Sequence, residues 1–239
     1  MPSRRRKSRS FSVGREVVIG LGVYAAYLLV RGLALSGDGR KQAERNAERI
    51  VALERRLGIH VEPRLQEVFL PRRRLIAVLN LAYATLNVGL TVVWLMRLFH
   101  RRDPDFHRFR RAAVLAVLGA QPAFLFFPVA PPRKLGHLVD TIAEVSGVDL
   151  DSGLVSKLYH PLAAMPSIHV TIAVVTAAGL RETSRRRWVR GLAPVYPPAV
   201  AAVVFITANH YVLDAVAGGA LGKAALKLSA VGSRKHARP

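Results

Sequence analysis

Residues 112–130 read AAVLAVLGAQPAFLFFPVA, nineteen positions without a charged side chain, and Pro131-Pro132-Arg133-Lys134 follows at once. A helix that crosses the roughly 30 Å hydrocarbon layer of a bilayer needs about 20 apolar residues, and this run supplies them. Similar blocks lie at 17–35, 75–99, 168–180, 189–208 and 211–228, the one at 168–180 reaching spanning length only with its lead-in Ala163-Ala164-Met165. The pattern predicts an all-α fold, a polytopic membrane helix bundle with about six transmembrane helices.

Composition points the same way. Apolar residues make up 51% of the 239 positions, and the mean hydropathy is +0.23. A net charge of +21 would suggest a nucleic-acid partner in a soluble protein, but the 36 Lys and Arg residues fall in short clusters between apolar blocks. No basic stripe with interleaved aromatics forms, so nucleic acid is not expected as a partner. The absence of cysteine excludes disulfides and thiolate metal sites. Arg4-Arg5-Arg6-Lys7 ahead of an apolar run imitates a signal peptide. No small-x-small cleavage site closes that run, and it reads as a retained first helix.

Loop charges set the orientation, because Lys and Arg near helix ends stay cytoplasmic. Arg101, Arg102, Arg108 and Arg110 crowd 97–111, and Arg185, Arg186 and Arg187 crowd 181–190. Arg234, Lys235 and Arg238 mark the carboxyl end, and with the basic amino terminus all four segments agree on the inside. The segment 131–165 is then outside, its Asp140, Glu144, Asp149 and Asp151 outnumbering Arg133, Lys134 and Lys157. The stretch 37–74 also falls outside, although Arg72, Arg73 and Arg74 run against the rule. Within it Ala43, Ala47, Ile50, Leu53 and Leu57 recur at helical spacing, the pattern of an amphipathic helix on the membrane surface or of a solvated helical linker.

Three segments carry chemistry, and all fall at the expected outer face. Ala164-Met165-Pro166-Ser167-Ile168-His169 opens a helix, where free N–H groups and the positive dipole end suit an anion such as phosphate; Ser167 also suits the cap itself. His210 and Asp214, four residues apart, share one helical face. An aspartate that accepts the proton of one imidazole nitrogen leaves the other as a free lone pair, which prepares a nucleophile. Arg133 offers a planar fork of donors for phosphate oxygens, and Lys134 is a weaker candidate for that task. His169, His210 and Asp214 lack an HExxH pairing or an acidic cluster, so neither a metal nor any other cofactor is expected there. The small residues Gly218, Gly219 and Gly222 read as a helix-packing face, and the basic loops as contacts to anionic membrane lipids.

Pro166-Ser167-x-His169 and His210-x-x-x-Asp214 together resemble the motifs of the type 2 phosphatidic acid phosphatase superfamily. Pro131-Pro132-Arg133, Ala164 to His169 and the Asn-His-Tyr-Val-Leu-Asp run at 209–214 are similar to its branch of inositol phosphorylceramide synthases. Val203-Val204 stands where the wider superfamily has Ser-Arg, a departure in the direction of that branch. The resemblance implies that His210 attacks phosphorus, Asp214 orients it, His169 protonates the leaving oxygen, and Arg133 and Ser167 hold phosphate oxygens. It implies an integral protein of the cell (plasma) membrane acting on a lipid phosphate at the extracytoplasmic face. Residues 16–230 would form the membrane domain, between basic cytoplasmic tails at 1–15 and 231–239. No oligomeric state follows from any of this.

Overall fold

A computed structural model of the chain describes residues 11–35, 37–147 and 162–234. The charges expected at Arg4 to Lys7, Asp149, Asp151, Lys157, Lys235 and Arg238 lie outside the described residues. The fold is all-α: α1 (Val13–Ala34), α2 (Gly39–Leu57), α3 (Glu62–Phe69), α4 (Arg73–Leu81), a π turn (Ala82–Leu86) and α5 (Asn87–His100) come first. Then follow α6 (Phe106–Phe126), a 3-10 turn (Pro132–Lys134), α7 (Thr141–Ser146), α8 (Ile168–Thr183), α9 (Arg187–Leu192), a 3-10 turn (Ala193–Val195), α10 (Tyr196–Ile206) and α11 (Val212–Arg234).

By length and composition, α1, α6 and the stretch Arg187–Ile206, in which α9 runs on into α10, are able to cross a membrane. The helices α4 and α5, bent by 43° where the π turn interrupts them, together make a fourth. Among the described residues the other two predicted spans do not meet that measure by themselves, and their composition and packing show why. The helix α8 has only 16 residues, and α11 carries Asp214, Lys223 and Lys227. Neither has to satisfy lipid alone, because α8 packs against α5, α6, α10 and α11, and α11 against α6 and α8. A central helix walled by others tolerates a short or polar sequence that a lipid-facing one does not. The contrast is α1, whose Val17, Val18, Leu21 and Leu29 are all more than half exposed.

Small residues bring the inner helices close. A Cβ at Gly179 would sit 2.0 Å from the Trp94 ring, and one at Gly218 would meet the Ser167 carbonyl oxygen at 2.5 Å. At Gly222 the Thr171 carbonyl oxygen stands 2.8 Å from the same imagined atom. Buried hydroxyls tie the remaining gaps: Thr91 and Thr176 share a hydrogen bond of 2.7 Å, and Thr171 donates to the Gly218 carbonyl at 3.0 Å.

Ion pairs fix which ends lie together. Arg108, at the start of α6, binds Glu182 at the end of α8, and Arg110 binds Glu16 at the start of α1 at 3.2 Å. The arginine-rich turns thus share one end of the bundle. The opposite end gathers the end of α6 and the starts of α8 and α11, the three segments singled out in the sequence.

The segment 37–74 contains α2 and α3, and α2 is amphipathic as its spacing predicts. Its apolar side faces protein, however: Ala43, Ala47 and Ile50 join Val129, Ala130, Leu162, Ala164 and Tyr211 in one buried cluster. Leu53 and Leu57 stay exposed. The helix is a wall of the site end and not a linker.

The close approach of α11 to α8 leads to a controlled test. Gly218→Ala should lower the thermal midpoint in detergent by several degrees, the cost of overpacking being about 1–3 kcal/mol. Gly219→Ala, where nothing lies within 4 Å of the added atom, should leave the midpoint unchanged or slightly raised. Equal effects at the two positions would contradict this packing.

Candidate active site

Backbone hydrogen bonds assemble the site before any side chain takes part. Val129 and Ala163 pair across a one-residue parallel bridge, the Val129 N–H donating to Leu162 and the Ala164 N–H to Val129, which anchors the end of α6 to the approach of α8. The Arg133 N–H donates to the Ala208 carbonyl at 3.0 Å, and the Ser167 N–H to the Asp214 carbonyl at 3.0 Å. Ala208, buried just ahead of Asn209 and His210, adopts φ +54°, left-handed backbone that a non-glycine residue seldom takes.

His210 is buried, with its Nδ1 2.9 Å from the Ala164 carbonyl oxygen and 3.4 Å from Asp214 Oδ2. A carbonyl only accepts, so Nδ1 carries the proton and Nε2 the lone pair. The sequence suggested the aspartate as acceptor of this proton, and the nearer partner is a backbone oxygen. Burial lowers the imidazole to about 4, and the nearby Arg133 charge adds to this while the Ala164 hydrogen bond opposes it. The ring is neutral at pH 7. Asp214, fully buried, uses Oδ2 to accept the Tyr211 N–H at 2.9 Å.

His169 lies in the first turn of α8 and stacks on Tyr83, ring centroids 4.3 Å apart. Tyr83 belongs to the π turn, a local widening of the helix that often accompanies functional sites. The His169 and His210 rings stand 5.7 Å apart.

Arg133 is buried and held by two side chains. Its Nε donates to Asp140 Oδ2 at 3.2 Å, and a terminal nitrogen donates to Asn209 Oδ1 at 3.0 Å. Asp140 caps α7, accepting from Ile142 and Ala143, and Asn209 donates to the hydroxyl of Thr207 at 2.8 Å. Lys134 is partly exposed, with Nζ 3.8 Å from Asp140, on the far side of that carboxylate's duties. Ser167 is the cap of α8: its hydroxyl accepts the Val170 N–H at 3.4 Å and is fully buried. The cis Met165–Pro166 peptide precedes it.

Two glutamates complete the arrangement. Glu54 accepts the Leu213 N–H at 2.7 Å and Glu62 accepts the Val212 N–H at 2.9 Å, both fully buried at the start of α11. Burial pushes their carboxyls up, to about 6 and about 7, against the N–H bonds that lower them. The reading of the sequence missed Glu54, Glu62, Asn209 and the anchoring role of Asp140. The signal for Glu54 was present: it follows Ala43, Ala47 and Ile50 on the buried face of α2.

Asp140 serves two masters, so its variants separate them. Asp140→Ala loses both the cap and the Arg133 partner and should cost about 1–3 kcal/mol. Asp140→Asn keeps an acceptor for the cap and should cost less, by thermal melting in detergent. Equal losses would show that the cap is immaterial.

No curated protein and no solved structure matches the chain. The family model of the PAP2 superfamily matches residues 48–228, a span that holds α2 from Glu48 onward, every residue of the site and most of α11. With that match over most of its length, and with the two histidines, the aspartate and the arginine brought to one end of a helical bundle, the chain belongs to the PAP2 superfamily.

Proposed function

We propose that the chain is a membrane phosphatase or phosphotransferase that acts on a lipid-linked phosphate at the extracytoplasmic face of the cell membrane, through a phosphohistidine at His210. Membership of the superfamily supports phosphoesterase or phosphotransferase chemistry. The observation that carries the finer reading is the Nδ1 contact of His210 to a carbonyl, which leaves the Nε2 lone pair for phosphorus.

In the first step Nε2 of His210 bonds to phosphorus as the bond from phosphorus to the leaving oxygen breaks, and His169 supplies a proton to that oxygen. In the second, water or an alcohol attacks phosphorus, the nitrogen–phosphorus bond breaks, and His169 takes up the proton released. Asp214 supports the loop of His210, and Arg133 stabilises charge on the phosphoryl oxygens as it develops. Ser167 and Lys134 are further candidates for holding phosphate oxygens. Water as acceptor makes a phosphatase. An alcohol makes a headgroup transferase, such as one moving phosphoinositol to a lipid acceptor, the reading favoured by the likeness to inositol phosphorylceramide synthases.

Phosphate release from phosphatidic acid and polyprenyl phosphates, with and without added alcohols, tests this. The wild type should turn over at least one of them and be inhibited by vanadate, and His210→Ala should lose activity by at least about 1,000-fold. A lipid–alcohol adduct selects the transferase. A silent wild type would leave a non-catalytic lipid-binding protein, and an unimpaired variant would overturn the phosphohistidine at His210.

Orientation has its own test, since the chain lacks cysteine. Cysteine placed at the exposed His137 should react with a membrane-impermeant maleimide in intact cells, and cysteine at Arg185 only after permeabilisation. The reverse would move the site to the cytoplasmic face.

A further inference from the structure

Beside the phosphoryl site, and apart from it, Glu54, His60 and Glu62 each offer one ligand atom, all within 4.8 Å of one another. Each glutamate gives Oε1 to a backbone N–H of α11, at Leu213 and Val212, and turns Oε2 toward His60. The Nδ1 of His60 lies 3.5 Å from Glu54 Oε2 and 3.1 Å from Glu62 Oε2. Both carboxylates are fully buried, and the His60 side chain is 14% exposed.

An imidazole does not satisfy this arrangement. Its Nδ1 has one proton or one lone pair, and the contact with hydrogen-bond geometry is to Glu54. Glu62 Oε2, buried and only 3.1 Å away, has no hydrogen-bond partner. Three donors turned toward one point, one of them unsatisfied, describe a cation site. Donors held about 2.1 Å from a tetrahedral zinc ion stand about 3.4 Å apart, and the two separations fall on either side of that value. One nitrogen and two carboxylate oxygens suit zinc and its neighbours; calcium and magnesium seek six or more oxygens.

We propose that Glu54, His60 and Glu62 bind a divalent transition-metal ion, zinc by preference, which clamps α2 and the start of α3 to the first turn of α11. The carboxylates are already oriented by the α11 N–H groups, as outer partners orient metal ligands elsewhere. A cavity of about 40 Å³, lined in part by His60, Pro132 and Tyr211, opens on the histidine's side of the cluster and has room for a water. The ion is structural and takes no part in the phosphoryl transfer proposed above.

Full-length protein, purified in detergent without a polyhistidine tag, should carry about one zinc or other first-row metal per chain by elemental mass spectrometry. After stripping with a chelator, added Zn²⁺ should raise the melting temperature by several degrees. His60→Ala should lose both the metal and the shift. Should that variant fail to fold, Glu62→Gln keeps an oxygen for Val212, removes the charge, and should behave alike. A metal-free wild type with no response to Zn²⁺, or a metal content indifferent to these substitutions, overturns the site. Neither readout uses phosphate release, so the clamp and the phosphoryl chemistry stand or fall separately.

Discussion

The start of α11 has backbone N–H groups that no carbonyl within the helix can satisfy, and three buried carboxylates answer them. Asp214 takes Tyr211, Glu62 takes Val212 and Glu54 takes Leu213. The positive end of a helix dipole welcomes such anions, and their burial makes each bond costly to lose. Because Glu54 comes from α2, Glu62 from α3 and Asp214 from α11 itself, one turn of helix gathers distant parts of the chain. His210 sits immediately before that turn, and its position is therefore an outcome of the capping.

The other half of the site depends on a similar economy. Arg133 is held by Asp140, Asn209 and the Ala208 carbonyl, and Ala208 and Asn209 are also the residues that aim His210. His169 is fixed by the opening turn of α8 and by the ring of Tyr83. A guanidinium, two imidazoles and a carboxylate are thus kept in one place by groups already engaged with backbone. Such preorganisation is what electrostatic catalysis needs, since nothing must reorganise as charge develops.

The sequence made much of this legible. Apolar blocks predicted the helices, and Pro166-Ser167-x-His169 with His210-x-x-x-Asp214 located the histidines, because the residues of each motif lie within one helical turn or its lead-in. The length of a span was less legible: 75–99 reads as one uninterrupted block, yet the π turn breaks it, and 168–180 looks weak because its support comes from neighbouring helices. The outer shell was hidden for a different reason. Glu54 and Glu62 bond to residues about 150 positions away, and no local pattern reports a partner that distant. Asn209 stood in view beside His210 but has no motif of its own, only a geometry.

The 16 residues of α8 have one more implication. At 1.5 Å per residue the helix is about 24 Å long, some 6 Å short of the hydrocarbon thickness of a typical bilayer. Arg181 lies in its last turn, so Ser167 and His169 stand less than about 24 Å from the arginine-rich end. A central helix that short brings the imidazoles nearer to the arginine-rich turns than a lipid-facing span of full length would, so the two ends of the bundle are separated by less than one bilayer core.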